Sequence, residues 1–176
     1  MPNWCLNKLT VSHTDKAAMD RFVAAYNKGK LCNEFLPVPR TEDGELIIDQ
    51  THPDYWYDWC VNNWGTKWDV GADEGTEKEE RYGLKATVVP WSDKNTIEAS
   101  CSFDSAWAPP VGLYEKLVEL GYDVHASYFE PGMGFCGVYH NGCNNYIEYR
   151  SKDEIPMGIW NEYNLDEFFN SEEEVA

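Results

Sequence analysis

The chain contains 176 residues, of which 14 are basic and 31 acidic, so its formal net charge is −17 and its pI is about 4.4. A chain of this length is typical of one domain. Its aromatic content of 15% excludes a disordered acidic segment, because disorder goes with few aromatic residues as well as high charge. No apolar stretch approaches ~18 residues and the start lacks a signal-peptide pattern, so we expect a soluble, cytoplasmic protein that does not associate with membranes.

The first predicted elements are a strand and a helix. Alternating apolar side chains predict a strand over residues 4–12, whose apolar face is interrupted by Asn7. An apolar stripe predicts a helix over residues 15–28, with Thr14 as its N-cap and Gly29 as its C-terminal stop.

The middle of the chain is rich in aromatic and acidic residues. A short aromatic helix is predicted over residues 53–63, and residues 63–69 are predicted to turn into a strand. Residues 71–81 are strongly charged and indicate a surface excursion, which is followed by a predicted strand over residues 84–91.

The second half carries the clearest periodicity. Asn141 and Gly142 give a strong hairpin-turn signal. The predicted elements here are strands over residues 95–103, 122–129, 135–140 and 146–149, a helix over residues 110–120 and a weak helix from residue 165 onward.

This order of elements predicts the α+β class. It matches a split βαβ sandwich, with helices on one face of an antiparallel sheet and a Trp-rich insertion; a generic α+β roll is the alternative. We expect one domain over residues 1–150 with the insertion at about residues 40–92, and a C-terminal extension over residues 151–176 that ends in an acidic tail.

The cysteines and histidines do not indicate a metal site or a cofactor. No cysteine pair has the two-residue spacing of a zinc or redox motif, and the four histidines are dispersed. We expect reduced, buried thiols. There is no phosphate-binding loop, nucleophile elbow or helical His pair, so no catalytic residue is assigned and an enzyme is unsupported. The cysteines are Cys5, Cys32, Cys60, Cys101, Cys136 and Cys143.

Four segments stand out because they carry Trp or Gly together with a few polar residues. They read Pro2-Asn3-Trp4-Cys5-Leu6-Asn7, Asn63-Trp64-Gly65-Thr66-Lys67-Trp68, Phe103-Asp104-Ser105-Ala106-Trp107-Ala108-Pro109-Pro110 and Glu130-Pro131-Gly132-Met133-Gly134-Phe135-Cys136-Gly137. In these motifs the sequence resembles the YubB-type ferredoxin-like domain proteins of phages and conjugative plasmids. The resemblance covers roughly residues 1–150 and implies a ferredoxin-like fold and a mobile-element origin. The acidic segment at 71–81 and the acidic tail do not match it.

The tryptophans of these motifs have two interpretations. They can close the end of the core, with each indole N–H bonded to a backbone carbonyl. Alternatively they form a concave site that stacks a planar ligand such as a nucleotide, in which Lys67 meets an anion and Glu130 accepts a hydrogen bond. The residues of this candidate ligand site are Trp64, Lys67, Trp68, Trp107 and Glu130.

The charge leads to a different functional hypothesis. A net charge of −17 disfavours direct nucleic-acid binding, because it repels phosphate backbones. It serves solubility, or it attracts a partner with a basic surface. Our first hypothesis is a phage- or plasmid-encoded, non-enzymatic interaction protein that binds such a host protein and inhibits a defence or nucleic-acid-handling system. The acidic residues assigned to this interaction are Asp73, Glu74, Glu77, Glu79 and Glu80.

The alternative hypothesis is a nucleotide or small-molecule binding domain, either a sponge or an enzyme, that uses the tryptophan and Lys67 site. The two hypotheses differ in salt sensitivity and in which side chains matter. Sheets of the ferredoxin-like kind often pair edge to edge, so a homodimer is also compatible with the sequence.

Overall fold

The structure, a computed structural model, describes residues 3–72, 87–88 and 95–173. It is a mixed α+β arrangement. The strands are β1 (Trp4–His13), β2 (Thr87–Val88), β3 (Ile97–Ala106), β4 (Asp123–Glu130), β5 (Phe135–His140) and β6 (Cys143–Glu148). The helices are α1 (Lys16–Asn27), α2 (Leu31–Phe35), α3 (Trp56–Trp64), α4 (Val111–Glu119), α5 (Met157–Glu162) and α6 (Leu165–Glu173), with a 3₁₀ turn at Lys152–Glu154.

The strands form one sheet in the order β2-β3-β1-β4-β5-β6, and every neighbouring pair is antiparallel. Because β1 is antiparallel to both of its neighbours, β3 and β4 run in the same direction, and α4 connects them. The predicted hairpin turn between β5 and β6 is confirmed: Asn141 and Gly142 have φ values of 43° and 91°, as a tight primed turn requires.

The main core lies between α1, α4 and one face of the sheet. Along β1 the alternate side chains from Cys5 to Val11 are buried, as a strand with one core face requires. Helix α1 contributes Met19 and Phe22 to this core, and α4 contributes Leu113 and Leu117.

The C-terminal segment covers part of the second face of the sheet, which the sequence analysis did not predict. Phe129 and Cys136 lie on this face and pack with Ile155, Ile159 and Leu165 from the C-terminal segment. The prediction of helices on one face therefore applies to α1 and α4 but not to the C-terminal helices. The physical reason is that the last five residues of β4 are all buried, so strict alternation ends there.

Three local predictions also differ from the structure. The N-cap of α1 is Asp15 rather than Thr14, because the Asp15 carboxylate accepts the Ala17 N–H at 2.9 Å. Gly65 ends α3 in the left-handed region with φ 89°, and no strand follows it within residues 66–72. Of the predicted strand at residues 84–91, only residues 87–88 are described.

Helices α3 and α4 approach each other at Gly112. A Cβ atom on Gly112 would lie 1.8 Å from the carbonyl oxygen of Asn63 and 3.4 Å from the Cα of Trp64. Only a residue without a side chain allows this backbone contact. The contact holds the end of α3 against the start of α4. It thereby also holds the segment that follows α3 close to the segment that precedes α4.

We expect the Gly112→Ala substitution to lower the free energy of unfolding by about 1–3 kcal/mol, because the helices must separate to admit the methyl group. Urea unfolding measures this. The matched control is Gly158→Ala in α5, where nothing lies within 4 Å of the added atom. That change should be neutral or stabilise by up to about 1 kcal/mol. Equal effects of the two substitutions would contradict the proposed helix contact.

The thiols should differ sharply in reactivity. Five of the six cysteines are buried and Cys143 is exposed. Burial raises the pKa of Cys5 to about 12 and that of Cys60 to about 11, so their reactive thiolate forms are scarce near neutral pH. We expect Ellman's reagent at pH 8 to modify one thiol rapidly in the folded protein and the others only after urea unfolding. Cys143→Ser should remove the rapid phase; a second rapid thiol in the folded protein would contradict this.

Candidate functional site

Three of the four motif segments named above meet at one end of the sheet. Trp4 is the register partner of Ala106, so the start of β1 lies beside the end of β3. The Trp107 N–H donates to the carbonyl oxygen of Asn3 at 2.9 Å. The Thr66 hydroxyl donates to the carbonyl oxygen of Ala106 at 3.0 Å, which joins the segment after α3 to the same end.

The fourth segment joins them through Gly132. A Cβ atom on Gly132 would lie 2.7 Å from Asn3 Nδ2, so the turn after β4 packs against the start of β1. Glu130 holds this turn. Its carboxylate accepts hydrogen bonds from the Gly132 N–H at 3.1 Å and from the Met133 N–H. All four segments therefore converge, although they are distant in the chain.

A buried polar network supports this end of the sheet from the core side. Asn7 Nδ2 donates to Ser105 Oγ at 2.8 Å and to the Cys5 carbonyl at 2.8 Å. The Tyr114 hydroxyl donates to Asn7 Oδ1 at 3.1 Å, and Ser105 Oγ donates to the Ala108 carbonyl at 2.7 Å. The network ties β1, β3 and α4 together, so the residues around Trp107 stand on a fixed frame.

On the outer side of this end, three aromatic rings surround the ammonium of Lys67. The distances from Lys67 Nζ to the ring centroids are 4.7 Å for Trp68 and 5.5 Å for each of Tyr57 and Trp107. All are within the ~6 Å range of cation–π contacts. We call Tyr57, Trp68 and Trp107 the aromatic cage. Trp4 extends it, with its ring centroid 5.8 Å from that of Trp68.

The cage is accessible to solvent. Trp4, Trp68 and Trp107 are 45%, 40% and 37% exposed. Within the described part of the chain, Lys67 forms no ion pair with a carboxylate, and the salt bridges there involve other cations. The surroundings of its ammonium that the structure describes are therefore aromatic.

Trp107 has an unusual backbone conformation. Its φ is 71°, in the left-handed region that bulky residues rarely adopt. In this conformation its N–H donates a hydrogen bond to the carbonyl oxygen of Asn3 at 2.9 Å. Residues held in such conformations concentrate at binding and active sites.

The structure brings together only part of the predicted ligand site. Lys67, Trp68 and Trp107 lie in one cluster, whereas Trp64 and Glu130 do not join it. Trp64 is 4% exposed and its indole N–H donates to the Leu36 carbonyl at 2.8 Å, which is the core-closing alternative. Glu130 is fully buried and its oxygens accept from its own turn.

Sequence reasoning did not include Tyr57 or Trp4 in the site. Tyr57 comes from α3, and its ring lies 6.1 Å from that of Trp107. The available signal for Trp4 was its place in the first of the four motifs. For Tyr57 there was none, because its approach to Trp107 depends on how α3 packs on α4.

Other predicted features are not placed by the structure. The acidic residues assigned to a partner interaction, at positions 73–80, lie outside the described residues. Over the described ranges, no group of three or more His, Cys, Asp or Glu side chains is arranged to hold a metal ion. Likewise, none of the helices described is both long and apolar enough to cross a membrane.

No known family model matches the sequence, and no curated protein matches it. Among solved structures, the protein api92 from Yersinia pseudotuberculosis, of the family DUF1281, is similar with a TM-score of 0.37 and 10% sequence identity. The similarity covers 86% of this chain and 99% of that chain. A similarity of this size supports no conclusion about fold or function.

The strain at Trp107 can be tested with two substitutions. Trp107→Ala and Trp107→Gly both remove the ring contacts, but only glycine adopts φ 71° without steric cost. We expect Trp107→Gly to be the more stable variant by about 1 kcal/mol, as measured by urea unfolding. If Trp107→Ala were equally or more stable, the left-handed conformation at this position would be contradicted.

Proposed function

We propose that the protein is a non-enzymatic interaction protein that binds a partner with a basic surface, and that the aromatic cage with Trp4 is the centre of the contact. The observation that carries the proposal is the cluster of partly exposed aromatic rings at one end of the sheet, around the Lys67 ammonium. Tryptophan and tyrosine are the residues most enriched at the energetic centres of protein interfaces.

The charge of the chain supports a basic partner. At −17 the protein attracts cationic surfaces over the range of a Debye length and accelerates their association. Charge of this kind contributes more to association rate and specificity than to affinity. We assign that steering role to the acidic residues at positions 73–80 and the affinity to the aromatic rings.

The proposed origin rests on the sequence resemblance, and the proposed kind of partner rests on that origin together with the charge. The likeness of the four motifs to YubB-type proteins supports a phage or plasmid origin, and so a host protein as the partner. Proteins that handle nucleic acids carry basic grooves, and an acidic surface competes for such grooves. A defence or nucleic-acid-handling factor of the host, inhibited by this protein, is the partner we propose.

We further propose that residues 1–150 form a ferredoxin-like domain. The strand order β2-β3-β1-β4 supports this, because β1 lies between two strands that α4 connects. Strands β5 and β6 and the C-terminal helices are then additions to that domain.

A second candidate is nucleotide binding at the same cage. The exposed Trp68 and Trp107 rings beside a cationic Lys67 favour it, because a planar base stacks on indole and a phosphate pairs with an ammonium. The net charge of −17 opposes it, since it repels the phosphates. We therefore rank it below a protein partner.

We expect immobilised protein to retain one stoichiometric host protein from lysate at low salt and much less at high salt. Trp68→Ala should weaken this binding at least tenfold, as loss of an interface centre does. Neutralising the acidic residues at 73–80 should weaken it mainly by slowing association. Affinity and association rate would be measured by surface plasmon resonance with the purified partner.

Two controls make the result specific. Ile48 is 76% exposed and is outside the cage, so Ile48→Ala should leave binding unchanged. Neutralising the exposed acidic residues at 42–45 should change the association rate less than neutralising 73–80. A partner that binds Trp68→Ala at full strength would contradict the proposal. A co-purifying nucleotide that raises the melting temperature, without a protein partner, would replace it with the second candidate.

A further inference from the structure

Lys67 differs from Lys8, one of the other lysines that lie over an aromatic ring. Lys8 Nζ is 5.1 Å from the centroid of Tyr163 and also donates a hydrogen bond to the Glu162 carbonyl. Lys67 faces three rings and, within the described residues, has no hydrogen-bonded or ion-pair anchor. Displacing its ammonium therefore breaks ring contacts and nothing else that the structure describes.

The geometry shows that the cage fits a cation. Three ring faces lie within 5.5 Å of one ammonium, although the chain could have placed this long, flexible side chain in solvent. Aromatic cages of this composition recognise cationic groups, because the negative faces of the rings attract positive charge.

We propose that the aromatic cage binds the guanidinium of an arginine side chain on the partner protein, and that Lys67 is an internal occupant that this arginine displaces. The proposal rests on the proposed function for the existence of a partner. It adds the chemical group that the cage recognises and the step by which the cage opens.

Exchange of lysine for arginine is favoured by the difference between the two cations. A guanidinium is planar, stacks on aromatic faces and is weakly hydrated, so it loses little when it leaves water. The ammonium of Lys67 is strongly hydrated, so it regains solvation when it leaves the rings. Since Lys67 is only partly buried, its side chain has a route to solvent.

The charge of the whole chain acts in the same direction. The net charge of −17 raises the local concentration of cationic groups near the surface and lowers that of anions. An arginine guest therefore suits this protein better than a phosphate at Lys67 would. The negative net charge favours a cationic group over an anionic one, and the three rings determine where that cation binds.

The cage can be tested without a partner, by titrating N-acetyl-arginine amide into the full-length protein. The indole N–H signals of Trp68 and Trp107 in nitrogen–proton NMR spectra report binding, after assignment with phenylalanine variants. We expect Lys67→Met, which keeps the apolar stem and removes the competing charge, to bind the arginine derivative about tenfold more tightly than the wild type. The citrulline derivative, which has the same shape without the charge, should not bind.

Lys28→Met is the matched control, because Lys28 is exposed and its substitution changes the net charge by the same amount as Lys67→Met. It should bind the arginine derivative as the wild type does. If Lys67→Met binds no more tightly than the wild type, or binds the citrulline derivative equally well, the proposal is overturned. Because no partner is used, this failure is distinct from a failure of the lysate experiment.

A measurement on the wild type keeps the test decisive if Lys67→Met does not fold. Ring currents should shift the Lys67 Cε protons upfield, because they lie over aromatic faces. As the arginine derivative saturates the cage, these protons should move toward the position of a solvent-exposed lysine. An upfield shift that persists at saturation would mean that Lys67 is not displaced and would overturn the proposal.

Discussion

The register of β1 between β3 and β4 is the constraint on which the candidate site depends. It places Trp4 beside Ala106 and Leu6 beside Phe129, so that the ends of three strands share one edge. A slip of one residue would exchange the two faces of β1. Asn7 opposes such a slip, because its buried amide would lose Ser105 and its other partners. The residue that interrupts the apolar face of β1 thus also fixes the position of that strand.

The central elements could be predicted because their sequences are periodic. Strand β3 alternates buried and exposed side chains over most of its length, and α4 carries a regular apolar stripe. Of the C-terminal helices, α6 was predicted only as a weak helix from residue 165, and no periodicity predicted α5. Ile155 directly follows the 3₁₀ turn and Ile159 lies in the six-residue helix α5. Both pack on the second face of the sheet, but helical segments this short contain too few apolar positions to show a period. Whether a strand is buried on both faces depends on what folds over it, which the strand's own sequence does not contain.

The candidate site was predictable only in part, and Trp64 shows why. Its spacing of four residues from Trp68 suggests a shared face, as it would within a helix. Gly65, with φ 89°, ends α3 directly after Trp64 and reverses the chain, so helical spacing does not hold across it. Tyr57 was not predicted because it is far from Trp107 in the sequence. The two rings meet only because α3 packs against the start of α4, and that close approach depends on Gly112.

The conformation of Trp107 links the fold to the proposed function. A left-handed backbone costs a residue other than glycine about 1–2 kcal/mol. In the isolated protein, Trp107 is 37% exposed. Its cation–π contact with Lys67 contributes only about 0.5–1 kcal/mol under such conditions, and about 2 kcal/mol or more when water is excluded. The internal contact therefore offsets the backbone cost poorly until a second surface covers the ring. In the proposed complex, a partner that covers the cage and supplies the cation would strengthen this interaction and offset more of the backbone cost.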